Sequence, residues 1–115
     1  MQMFVAPTEI FLYRDVVDFR KSINGLVGIV EDELEHDAYK GTLFVFCNKA
    51  KDKLKILYWD QTGFALWYKR LEKQKFKWPS KVSSQAFELT EQQLAWLLSG
   101  YNVIGHEPLH YNSKI

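Results

Sequence analysis

Residues 53–72, KLKILYWDQTGFALWYKRLE, decide how this chain folds. Two runs of large apolar and aromatic residues flank DQTG, a cluster of turn formers, so the stretch reads as an antiparallel hairpin. Loop length then settles the rest, because a one-residue slip turns every side chain to the opposite face. A type I turn with Gly63 in a left-handed bulge position would pair Asp60 with Phe64. One face then collects Leu54, Ile56, Tyr58, Phe64, Leu66 and Tyr68, and the other collects Lys53, Lys55, Leu57, Trp59, Trp67 and Lys69. A two-residue loop would mix these sets. The cleaner segregation favours the bulged turn. It predicts a core face on one side and a basic face carrying two tryptophans on the other.

Working outward, TLFVFCNK (42–49) is a near-continuous apolar run, the mark of a central strand. NKAKDK supplies a polar hairpin connection, and TEIFLYR (8–14) reads as a first strand. Phe19, Ile23, Leu26, Val27, Val30 and Leu34 recur at helical spacing, predicting a long helix over about 18–35 with Asp18 as its N-cap. Gly25 and Gly28 each weaken that helix by about 1 kcal/mol relative to alanine, so a second element is expected close against it. The run EDELEHD (31–37) ends it as a solvated face. KWPSKVSSQ reads as a loop, with Pro79 breaking any strand. In LTEQQLAWLLSGY, Thr90 and Gln93 form a capping box, Leu94, Leu97 and Leu98 face inward, and Gly100 stops a short helix. The expected fold is one α+β domain over 1–115. It has an antiparallel sheet of at least four strands, the long helix on one face, a short C-terminal helix, and a patternless tail from about 101.

At 115 residues the chain is long enough for one core, and 16% aromatic with 25% charged residues is a globular composition. No apolar run approaches the roughly 20 residues of a membrane span, and MQMFVAPTEIF lacks the pattern of a secretory signal. Cys47 is the single cysteine, so no internal disulfide is expected and a cytoplasmic, reducing setting fits. The net charge of +1 hides a polarity: residues 1–39 sum to −5, residues 40–81 to +8 and residues 82–115 to −2. What matters is where the basic block sits once folded.

That block supplies Lys53, Lys55, Lys69, Arg70, Lys73, Lys75 and Lys77 beside Trp59 and Trp67. Cations that replace phosphate counterions, next to flat rings that stack on bases, are the parts of a nucleic-acid surface. The plainer alternative is that the tryptophans cover a second helix while the lysines protect an edge strand. Catalytic patterns are thin. The carboxylates between Asp15 and Asp37 have nothing that fixes two of them about a scissile bond, and no phosphate-cradling loop or nucleophile elbow occurs. His106 and His110 give H-x3-H, half of a metal site, but they stand far from Cys47 with Pro108 between them. Cys47 reads as a small buried hydrophobe. No catalytic residue, metal or cofactor is expected.

DVVDFRKSINGL (15–26), the stretch from Gly41 to Pro79 and LTEQQLAWLLSG (89–100), taken together, resemble the small accessory protein TnpB, encoded by the second open reading frame of insertion sequence 66 type bacterial elements. The shared features are Asp18-Phe19-Arg20-Lys21 with Gly25-Leu26, the strand Leu43 to Phe46, Lys55 to Asp60 and Gly63. The block Tyr68 to Glu72, Phe76 and Trp78-Pro79 complete them. The resemblance covers roughly residues 9 to 100. It implies an accessory role in DNA transposition beside a separately encoded transposase, which is expected to carry the strand-cutting residues. Cys47 and Asn48 depart from it, standing where basic residues are common in the family. The expected function is DNA binding through the basic block. The alternative is an adaptor whose Trp59 and Trp67 face docks on the transposase or a third element-encoded protein, and a nuclease-like enzyme using the acidic cluster is a distant third.

Overall fold

The computed structural model describes residues 9–79, 83–101 and 103. His106 and His110 lie outside the described residues, as do the first eight residues. Five strands, β1 (Ile10–Tyr13), β2 (Leu43–Cys47), β3 (Lys53–Asp60), β4 (Gly63–Arg70) and β5 (Ala86–Glu88), form one sheet in the order β4-β3-β2-β1-β5. As its apolar run predicts, β2 is central, and all five of its residues are buried.

The sheet is mixed rather than antiparallel, because β1 pairs parallel with β2. The reason lies in the connection: the chain leaves β1, crosses one face of the sheet as a helix and re-enters in the same direction, which parallel neighbours require. That helix corrects the expected one. It runs as α1 (Ile23–Gly28) and continues as a wider π-helical turn over Ile29–Glu33, eleven residues in all. Asp18 does not cap it. Its carboxylate accepts the Arg20 backbone N–H at 2.9 Å, closing a turn over 18–20, and Ser22 takes the N-cap position without a side-chain bond. Glu35, at φ 55, carries the chain out of the helix. Neither helical glycine admits a close neighbour: a Cβ on Gly28 would meet nothing within 4 Å, and one on Gly25 would meet only the Lys21 side chain.

Both faces of the sheet are covered. On one, Leu26, Ile29 and Val30 pack on Tyr13, Phe44, Phe46 and Leu57, with Ile23, Val27 and Leu34 half-buried at the margin. The Tyr13 hydroxyl donates to Glu33 Oε1 at 2.9 Å, tying the π-helical turn to β1. On the other face, α2 (Glu91–Leu98) buries Leu94, Leu97 and Leu98 against Leu12, Val45, Cys47, Leu54 and Ile56. Thr90 and Gln93 form the expected capping box, and Gly100 at φ 90 ends the helix. A strap after β4 crosses the same side. Phe76 and Trp78 point into the core while Lys73, Lys75 and Lys77 stay exposed, so the interleaving of rings and cations there follows the period of an extended chain.

The hairpin register is the main correction. Asp60 pairs with Gly63, not Phe64, through a two-residue loop in which Gln61 adopts φ 57. Leu54, Ile56 and Tyr58 therefore share a face with Ala65, Trp67 and Lys69, while Lys53, Lys55, Leu57 and Trp59 share the other with Phe64, Leu66, Tyr68 and Arg70. The case for a bulged turn assumed that one face meets water. Here α1 covers one face and α2 the other, so each must carry apolar residues and no clean segregation exists.

Candidate nucleic-acid interface

Register divides the predicted site residues. Lys53 and Arg70 are cross-strand partners at the open end of the hairpin, and Lys55 stands next to Lys53 on the same face, opposite Tyr68. Trp67 and Lys69 lie on the α2 side, where Trp67 packs against the core. The Lys69 ammonium donates to the Leu98 carbonyl at 2.8 Å, at the C-terminus of α2, where a cation offsets the helix dipole. Trp59 is in a ring cluster with Tyr39 and Phe64, centroids 4.9 to 5.1 Å apart, near the hairpin tip.

Segment 16–20 lies along the open end of the hairpin, anchored by the Val17 N–H to the Cys47 carbonyl at 2.9 Å. The Lys55 ammonium donates to the Phe19 carbonyl at 3.1 Å and sits 4.6 Å from the centre of the Phe19 ring. Between this segment and the β2–β3 turn opens a cleft of ≈ 690 Å³, lined by Val16, Val17, Asp18, Phe19, Arg20, Asn48, Lys49, Ala50 and Lys53. Its lining mixes the apolar Val16, Val17, Phe19 and Ala50 with the cations Arg20, Lys49 and Lys53 and with Asp18. Val16 is 42% exposed there.

Asn48 shapes the turn that forms the rim. Its side-chain oxygen accepts the Lys53 N–H at 2.9 Å and its amide donates to Asp52 at 2.8 Å, which holds the Asp52 carboxyl below its ordinary range. The Lys75 ammonium caps the Ala50 carbonyl of the same turn at 2.9 Å, bringing one strap cation beside the cleft. Arg20 carries its guanidinium against Asp18, and the bonds it donates hold that carboxyl down to about 2. Arg70 pairs with Glu72 at 2.8 Å in the open. No hydrogen bond or ion pair among the described residues engages the Lys49 or Lys53 ammonium, so both cations are available to a ligand. Arg20 and Lys49 were not among the sequence candidates. The signal that could have found them is the parallel pairing of β1 with β2, which sets segment 16–20, just after β1, beside the end of β2. Among the described residues no group of three or more His, Cys, Asp and Glu side chains could hold a metal ion, and no helix is long and apolar enough to cross a membrane.

The chain is thus a small α+β domain with lysines and arginines about a cleft at one end of its sheet. The family model for IS66 Orf2 like protein matches residues 8–107, and the chain belongs to that family, which is associated with transposition of insertion sequences. It is 40% identical over 101 residues to an uncharacterized protein, y4jC, of Sinorhizobium fredii (strain NBRC 101917 / NGR234), covering 86% of each chain. A second uncharacterized protein of that strain, y4hO, is 35% identical over 83 residues, covering 72% of this chain and 71% of the relative. No solved structure matches.

Proposed function

We propose that this protein is a non-catalytic accessory factor for transposition of an insertion sequence, and that it binds DNA through the basic rim of the cleft. The observation that carries the reading is the gathering of Lys49, Lys53, Lys55 and Arg70 about one end of the hairpin, with Arg20 across the cleft and Lys75 beside it. Lysines and arginines at that density neutralise successive phosphates and release counterions. Lys73 and Lys77 extend the positive surface along the strap, while Lys69 and Trp67 serve the fold. Trp59, in its ring cluster near the hairpin tip, is set apart from the cleft.

The test is charge reversal at cations without structural partners. Lys49→Glu with Lys53→Glu should keep the circular dichroism spectrum and melting temperature of the parent, because neither ammonium has a hydrogen bond or ion pair to lose. The pair should lower affinity for duplex DNA, element ends included, by at least about tenfold at low salt. Unchanged affinity in a folded double variant rejects the interface. A second reading, docking on the transposase, is favoured by the ring cluster of Tyr39, Trp59 and Phe64, in which Tyr39 is 53% exposed. It predicts co-purification that persists at high salt and is lost in Tyr39→Ala with Trp59→Ala.

A further inference from the structure

The two edges of the sheet differ. β5 is three residues long and ends in Glu88, a short edge of the kind that resists pairing. β4 runs eight residues in one-to-one register with β3, so it has no bulge. It carries no proline and no charge before Lys69, and β3 is its sole ladder neighbour among the described residues. A long, flat, apolar edge is a template for another strand.

The hairpin fixes which backbone groups it offers. A two-residue loop closes on a hydrogen-bonded pair, here Asp60 with Gly63, and pairs alternate from there. Phe64, Leu66, Tyr68 and Arg70 therefore turn their N–H and C=O groups outward. We infer that the β4 edge is a self-association surface: β4 pairs antiparallel with β4 of a second copy, with the two-fold axis at Leu66, to give a continuous ten-stranded sheet.

Side-chain chemistry selects this occupant and register. With Leu66 opposite Leu66 of the second copy, Phe64 meets Tyr68, which is 49% exposed in the single chain. That contact continues the Tyr39, Trp59 and Phe64 ring cluster across the joint. On the other face the bulky Trp67 stands against the small Ala65, and the Lys69 backbone stands against Gly63 while its ammonium stays on the Leu98 carbonyl. Each basic strand end thus meets the acid-bearing hairpin tip of the other copy. Like charges lie at opposite ends of the joint. Shifting the axis by one residue to Trp67 sets tryptophan against tryptophan and arginine against phenylalanine, and it loses the small-against-large fit.

Sedimentation equilibrium on the intact chain over a concentration series tests the inference. The wild type should fit a reversible monomer–dimer equilibrium. Tyr68→Pro removes an outward N–H while leaving the β3 ladder intact, and should sediment as a monomer with an unchanged far-ultraviolet spectrum. Should that variant fail to fold, another decides. Leu66→Lys sets two ammonium groups across the axis and should weaken the dimer, and added salt should recover part of the loss. A wild type that is monomeric throughout the series overturns the inference, as does a folded Tyr68→Pro or Leu66→Lys variant that dimerises as the wild type does.

Discussion

Lys69, named from the sequence as a phosphate contact, stands at the end of a helix. Its ammonium reaches the Leu98 carbonyl, while Lys53, in the same hairpin but on the other face, points its charge to the cleft rim. Lys69→Met should therefore cost about 1 kcal/mol in urea unfolding, the value of one hydrogen bond, and leave DNA affinity within about twofold. Lys53→Met should do the reverse. Cys47 shows how burial silences a reactive group: it is fully buried, and loss of solvation pushes its thiol up to about 12. Tyr13 rises to about 12 as well, first through burial and then through its bond to Glu33. Both groups are held protonated by the fold. The stability they contribute is whole below the ordinary thiol value of 9.0 and is lost as pH climbs from there through about 12. Native protein at pH 8 should resist iodoacetamide and label on unfolding in urea; rapid labelling of folded protein would contradict the burial.

Elements were legible where one local signal dominates. The apolar run Leu43–Cys47 has no use except in a sheet interior, and Thr90 with Gln93 announces its helix through backbone donors that only a capping box satisfies. Thr90→Ala should accordingly lower stability by about 1 kcal/mol. The hairpin register was not legible, because its cue depends on which faces are wet, and that is settled by α1 and α2 elsewhere in the chain. Gln61 gives no hint of the positive φ it adopts, since a glycine or asparagine usually marks that place. Replacing it with glycine should raise the unfolding free energy by about 0.5–1 kcal/mol and keep the Asp60–Gly63 pairing. The three residues of β5 fall below the length at which alternation can be read. The long helix failed because periodicity continued through segment 18–22, where Asp18 and Arg20 fold the backbone into a turn instead.

For the whole molecule, a net charge near zero conceals a separation. The acidic residues of the 1–39 segment concentrate in the π-helical turn Ile29–Glu33 and the loop after it, while cations collect at the open end of the β3–β4 hairpin. The candidate site was half legible: Lys53, Lys55 and Arg70 were named from the sequence and remain together, whereas Trp67 and Lys69 are separated from them by the sheet. Arg20 and Lys49 come to the same place through tertiary structure alone. If about five of the cations around the cleft contact phosphate, as proposed, the measurement that bears most directly on the account is duplex affinity as a function of salt. Log affinity should fall with log salt at a slope near −4.5, and Lys49→Glu with Lys53→Glu should flatten that slope by about 2. A slope near zero in the wild type, or one unmoved by the double reversal, would contradict the assignment of the cleft rim to DNA.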